Sequence, residues 1–599
     1  MMSKEQALHK AELHFSQLKE LVNQAIQEGW RADEFERTTF AKLLDLGFEL
    51  VTAFVAAQGD GDQGSELEHG GKTCQRLDRP HERRYVSIYG PLLIPRYVYG
   101  TREGQKIEHV PLDAQLGLPA GEISYVLEDW LERMCVHDAH RESVKSLVAL
   151  LGVRAKVSVD TSEKHSREMA QHAISFRESQ AMPPVDEEGE LLVATADGKG
   201  VPMRRPMEAQ TPQPARHRRG KGEKAQKKQM AYVGAVYTID RFPRTAEEIV
   251  DELLRKQRVK DRPSPQHKHV RAEMTRPGEG LREPVLLHGP SYLFASLALE
   301  CQARDPGRNK ALICLMDGER QFWDLQQEWL PRAVQILDIF HVNQRLWTAA
   351  YCFHPENSPA AERFVEHHLR LLLQGRVDTV IRSFRQLLST RQLRGETRRR
   401  LQATITYYDN NRAHMRYGDY LAAGYPIGSG VAEGACRHLV KDRMERTGMR
   451  WSLAGAQAML NLRALYINGD WDVFVEHRIQ REQDTLYASS AESVGKFWLG
   501  KAAESVKEGD LHALFGTKAI CFSDGQFRFV VQTLHRAGGN RPFGTKPIEQ
   551  QLLVTAQAAD HFLQRSDPGA LRPEAPFVEK LFGPDWRSVV PEPLKVLAQ

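Results

Sequence analysis

The sequence predicts a multidomain α+β / α/β protein: a mixed-sheet core interrupted by an all-helical insertion and preceded by a mostly helical N-terminal region. Three observations predict it. At 599 residues the chain is too long for one hydrophobic core. Helical apolar spacing dominates before residue 180, whereas strand-like apolar runs alternate with helices from residue 191 to about 353. A long, basic, helical stretch follows, and then a glycine-flanked helix within 426–451.

Composition sets the bounds. Hydrophobic content of 41% and charged content of 27% are those of an ordinary soluble globular protein. No run of 18 apolar residues predicts a membrane span, and the first 15 residues lack the apolar stretch of a signal peptide. Seven cysteines (74, 135, 301, 314, 352, 436 and 521) form no CxxC pair, so the expectation is a reducing cytoplasm without structural zinc or disulfides.

Residues 1–58 read as a helical segment of two amphipathic helices, with Leu18, Leu21, Val22 and Ile26 and then Leu43, Leu44 and Phe48 at helical spacing. GDGDQG at 59–64 breaks the pattern. Residues 80–180 read as a β-hairpin hinged at Gly90-Pro91 and then helices at 123–135, 140–151 and from about 160. Asp160 and Glu163 have the spacing of an acidic capping box. The last two helices resemble a helix-turn-helix with Ser162, Lys164, His165 and Arg167 exposed; an ordinary helical hairpin fits equally. Residues 188–353 read as strands at 191–196, 230–239 and 285–287, a helix at 292–303, a strand at 311–316, a helix at 322–329, a strand at 334–339 and a helix from 343. Three strands, helix, strand, helix, strand, helix is the RNase H-like order. Residues 354–425 read as an all-helical insertion, 426–484 as the last part of the core, and 485–599 as a C-terminal accessory region.

Three carboxylates stand out. Asp197 ends the apolar run LLVATADGKG, Asp317 ends ALICLMDGER, and Glu433 lies in GSGVAEGACRHLVKDRMERTGMRW. An Asp-Gly pair alone is more often a turn than a metal ligand. Two acids at strand ends plus a third on a later helix, however, is how an RNase H-like nuclease holds two divalent metals for in-line phosphoryl transfer. Hard carboxylate oxygens suit Mg²⁺. Asp338 and His341, in LDIFHVNQRLW, have two readings: a brace beside the metals, or Asp338 itself as the second ligand. Strand order favours Asp317, with Glu319 a weaker substitute.

The net charge is only +4, but its distribution is uneven. Residues 203–228 carry nine Lys/Arg against two Glu, and 255–282 carry nine more. Each run alone reads as a solvated loop; flanking the proposed catalytic strands, together they point to a phosphate backbone.

The stretches ADGKGVPM, KKQMAYVGAVYTID, LMDGERQFW, ILDIFHVNQRLW, GYPIGSGVAEGACRHLVKDRMERTGMRW and LRALYINGDWD resemble bacterial insertion-sequence DDE transposases of the Kra type, over about residues 85–485. The resemblance implies an RNase H-like core that cuts DNA at element ends and joins them to target DNA, with Asp197, Asp317 and Glu433 as the acidic triad. It implies an Asp-x-x-His motif at Asp338 and His341. Two departures stand out: YVYGTREGQ lacks the cysteines common in relatives after the hairpin, so no zinc is expected, and the tail is longer. The expected cofactors are two Mg²⁺ (or Mn²⁺) ions, with water attacking first and the freed 3′-OH second. Expected partners are double-stranded DNA and at least a second copy of the chain, in the bacterial nucleoid. The expected DNA contacts are Lys199, Arg443 and Arg450 near the acids, Arg204, Arg205, Arg218, Arg219, Lys227 and Lys228 in the first basic run, and Lys164 and Arg167 on the helix-turn-helix-like element. The alternatives are an RNase H-like nuclease or resolvase without strand transfer, and a domesticated DNA-binding repressor.

Overall fold

The computed structural model describes residues 3–69, 72–101, 107–152, 154, 157–204, 228–257, 261–277 and 286–487. The described residues fall into two compact units, one from 3–178 with 470–487 and the other from 179–469.

The first unit opens with a helical hairpin, Lys4–Glu28 and Ala32–Ala57. Ser3 caps the first helix by accepting the Gln6 N–H while the Gln6 side chain accepts the Ser3 N–H. Glu66–His69, Lys72–Arg76 and Tyr99–Gly100 form a small antiparallel sheet that strand periodicity had not flagged. The hairpin His81–Ser87/Gly90–Arg96 turns at Ile88-Tyr89, two residues before the expected hinge. Pro91 pairs with Val86 inside a strand, which a two-stranded ribbon tolerates because the missing N–H can face outward.

Helices Tyr125–Cys135, His140–Leu151 and Val159–Ala170 follow. Ser158, not Asp160, caps the third, accepting the Thr161 N–H. Ser162 and His165 are buried rather than exposed. His140 Nδ1 meets the Ser162 hydroxyl at 2.9 Å, and His165 Nδ1 lies 2.9 Å from Glu128, which Arg478 of helix Trp471–Tyr487 also binds. Lys164 stays exposed and Arg167 half-buried.

The second unit is built on one five-stranded mixed sheet. Its strands are β1 (Leu191–Pro202), β2 (Lys228–Ile239), β3 (Gln266–Met274), β4 (Ala311–Met316) and β5 (Val334–Leu337). Their order is β5-β4-β1-β2-β3, with β4 parallel to both β1 and β5 and β2 antiparallel to both β1 and β3. β1 (up to Ala196) and β4 are almost wholly apolar because parallel strands covered on both faces must be. The third strand of the sheet is Gln266–Met274, inside the second basic run; of the expected strand at 285–287, Leu286–Leu287 is described, and among the described residues it pairs with Arg276–Pro277 and not with the five-stranded sheet. Helices Gly289–Arg304, Arg320–Trp329 and Ile339–Ala350 share one core with the sheet.

Residues 354–425 are helical, with Pro359–Leu373, Val377–Thr390, Gly395–Asn411 and Tyr417–Ala422. Their apolar faces join the same core as the sheet. Tyrosines from these helices close the strand ends: Tyr407 donates to the Asp317 carbonyl (2.6 Å), Tyr417 to Leu337 (2.8 Å) and Tyr420 to Gln335 (2.9 Å).

Candidate active site

Register creates the site. β1, β4 and β5 run parallel with Ala196 beside Met316 and Met316 beside Leu337. The next residue in each is acidic: Asp197, Asp317 and Asp338. Adjacent strands lie about 4.8 Å apart, so the three acids form a row with Asp317 in the middle. Burial pushes the Asp317 carboxyl above the usual range, and the charges of Asp197 and Asp338 add to the rise against the Glu319 N–H and His341. Gly318 makes the turn after Asp317 at φ +91°. A Cβ there would come 2.8 Å from Leu337 Cδ1 and 3.0 Å from Asn411 Oδ1.

Asp338 differs from its neighbours in having no oxygen left over. It is 1% exposed. One oxygen accepts the N–H groups of Phe340 (2.9 Å) and Ser429 (3.3 Å); the other accepts the Ser429 hydroxyl and faces His341 Nδ1 at 3.1 Å. It therefore caps its own helix and ties down the loop that leads to Glu433. Ile339 N–H donates to the Ile427 carbonyl (2.9 Å), and a Cβ on Gly428 would strike the Phe340 ring at 2.8 Å, so only glycine lets this loop sit so close. The Asp338 hydrogen bond raises the His341 imidazole above its ordinary value, with Asp317 and Asp197 adding to it.

Glu433 lies on Gly430–Ala435, which continues as a π-helical turn, Cys436–Lys441, and ends at Asp442–Met444. This helix rests on β1 and β2. Cys436 is buried beside Asp197; burial first and the Asp197 charge second push the thiol upward. Glu433 is exposed and sits one turn before Cys436. Among the described residues the structure does not bring it into a metal-holding group with Asp197 and Asp317. Glu319 completes the acidic rim, its carboxyl raised by burial and then by Asp317 and Asp197.

The expected DNA contacts separate into groups. Lys199 is half-buried and near enough to Cys436 to oppose the rise of its thiol. Arg204 and Arg450 are exposed and adjoining: Met203 pairs with Trp451, Arg204 N–H donates to the Trp451 carbonyl (2.8 Å), and its Nε to that of Arg450 (3.3 Å). Lys228 is engaged by Glu445. Arg443 cannot be a phosphate clamp. It is 0% exposed, with its guanidinium 4.8 Å from the Trp451 ring centroid and donating to Met449 Sδ. Arg205, Arg218, Arg219 and Lys227 lie outside the described residues.

Sequence reasoning missed Ser429, Tyr407, Asn411 and Cys436. Only Ser429 carried a signal, since it sits between the glycines of GSG. Among the described residues, no three His, Cys, Asp or Glu side chains form a ready metal cage. What the site offers is two neighbouring hard-oxygen donors, Asp197 and Asp317, with Glu433 exposed on the helix that rests on β1 and β2. No known family model matches the chain, and no curated protein matches it.

Proposed function

We propose that the chain is a DDE-type DNA transposase with an RNase H-like core, which cuts DNA at the ends of its element and joins them to target DNA. The single observation that carries the reading is that Asp197 and Asp317 each directly follow the register pair Ala196–Met316 of adjacent parallel strands, in a sheet on which the helix that bears Glu433 rests. The sheet order, antiparallel β1-β2-β3 with β4 and β5 added in parallel, supports the RNase H-like assignment.

The donor set fits divalent magnesium or manganese. Two like charges held side by side are relieved by a cation, and Mg²⁺ takes one or two carboxylates and completes its shell with water and phosphate oxygens. Asp197, Asp317 and Glu433 would hold the two ions, which when bound activate a nucleophile and stabilise a leaving oxygen. His341, kept more positive than an ordinary imidazole by Asp338, offers a charged donor to a phosphate beside the acids. Arg204, Arg450 and Lys199 would neutralise the DNA backbone. End recognition falls to the N-terminal helices, where Lys164 and Arg167 point away from the buried Ser162/His165 face. Among the described residues no helix is long and apolar enough to cross a membrane; the proposed location is the bacterial nucleoid.

The test uses full-length protein with Mg²⁺ or Mn²⁺ and linear DNA carrying the element ends. Joined products from the wild type, lost in Asp197→Asn, Asp317→Asn and Glu433→Gln, are expected. Absence of any cutting by the wild type with either metal would sink the proposal. Cutting without joining would leave a nuclease.

A further inference from the structure

We infer that Arg345 is a substrate contact: its guanidinium takes a DNA phosphate within roughly three nucleotides of the one at Asp197 and Asp317. The inference rests on the reading of those acids as a phosphodiester-cutting site, and all of its residues belong to the second unit.

Arg345 lies one turn after His341 on Ile339–Ala350, so the two share a face of that helix. His341 is close enough to Asp317 and Asp197 for both charges to act on it. The Arg345 guanidinium sits over the half-buried Tyr407 ring, 5.1 Å from its centroid. The hydroxyl of the same ring donates to the Asp317 carbonyl at 2.6 Å, and burial and then the Asp317 charge keep that phenol protonated. Next to it, Tyr408 donates to the Val342 carbonyl (2.8 Å), which ties the helix under the guanidinium to the helix that carries it. By way of the ring, the guanidinium lies no more than about 11 Å from the Asp317 carbonyl, and a DNA strand carries a phosphate every ~3.4 Å along its axis. The phosphate it reaches is therefore a near neighbour of the one at the acids.

The fold leaves this charge unspent. Arg345 is exposed and, among the described residues, forms no ion pair. Arg385, Arg399 and Arg412 on neighbouring helices instead pair with Asp409, Glu396 and Asp378. A guanidinium laid on an aromatic face is held in plane, and its planar fork matches the oxygens of a phosphate. The acids supply the need for it. Asp197, Asp317 and Glu319 repel a polyanion, and Arg345 is a positive charge beside them that no acid neutralises.

The test is binding of a short fluorescent DNA duplex carrying the element end to the full chain without metal, followed by anisotropy over a range of salt concentrations. Arg345→Gln should weaken binding on the order of tenfold and make the slope of log affinity against log salt shallower by about 0.9, the loss of one phosphate contact. Arg345→Lys should restore the slope and only part of the affinity, because it keeps the charge and loses the fork. Arg382→Gln, at another exposed arginine of the helical segment, should match the wild type. Replacing single phosphates by neutral methylphosphonates should reveal a position that weakens the wild type and leaves Arg345→Gln unaffected. Three results overturn the inference: no duplex binding by the wild type, an unchanged slope in Arg345→Gln, or equal losses in Arg345→Gln and Arg382→Gln. The two readings fail separately. A wild type that cuts no DNA with either metal, while Arg345→Gln still flattens the slope, sinks the transposase and keeps the contact; cutting by a wild type whose binding Arg345→Gln reproduces does the reverse.

Discussion

Asp338→Asn and Asp317→Asn should move stability in opposite directions, although the two acids sit side by side on neighbouring strands. Asp338 is enclosed and its carboxylate meets four donors. An asparagine can keep the oxygen that takes the Phe340 and Ser429 N–H groups, but it presents an amine to the Ser429 hydroxyl and His341. Hydrogen bonds to a charged group contribute about 1.5–3 kcal/mol each, and the serine hydroxyl can turn to accept, so the loss is about 2–4 kcal/mol. In a unit of this size that lowers the melting temperature by roughly 3–7 °C. Asp317 is the reverse. Its folded carboxyl titrates above the unfolded value, so at neutral pH its ionisation costs the native state stability. Asp317→Asn keeps the acceptor for the Glu319 N–H and removes the charge, so the melting temperature should hold or rise. The assay is thermal unfolding of the full chain at pH 7 without added metal, followed by tryptophan fluorescence. If Asp338→Asn melts with the wild type and Asp317→Asn melts lower, the division into a structural and a functional acid is wrong.

Gly318→Ala should destabilise by about 1–3 kcal/mol, because it combines a left-handed φ with a clash against Leu337. Gly469→Ala is the control: φ is +84° but nothing lies within 4 Å of the added carbon, so the cost in urea denaturation should be about 1 kcal/mol. Glu300 supplies a pH dependence. Burial alone would raise its carboxyl, but His269, Arg271 and Arg304 together hold it below the ordinary value. A lowered folded pKa contributes stability that is present above the unfolded value, about 4.3, and is lost as pH falls through the folded one. Glu300→Gln should therefore lower stability at pH 7 by about 3 kcal/mol and flatten the acid limb of a stability–pH curve. An acid limb as steep as that of the wild type would show that Glu300 does not carry it.

What the sequence reveals depends on where each residue's partners lie. β1 and β4 are legible because a strand buried on both faces must be a continuous apolar run, and Leu191–Ala196 and Ala311–Met316 are such runs. β3 is hidden because its cations are neutralised from far away: His269 and Arg271 share buried Glu300, so a structural strand reads as a solvated basic loop. Arg443 misleads in the same way, since a guanidinium beneath a tryptophan has the same letter as one waiting for phosphate. The row of acids is half legible. Each follows an apolar run, which any sequence scan finds, but only the register Ala196–Met316–Leu337 makes them neighbours. Choosing among them needs a further fact, namely how many donors each carboxylate already meets. Asp338 is saturated by Ser429, Phe340 and His341, whereas Asp317 gives one oxygen to a single N–H and leaves the other without a donor among the described residues. A carboxylate with its acceptors filled holds the protein together; one held half-buried beside a like charge, with an oxygen to spare, is poised to hold something else.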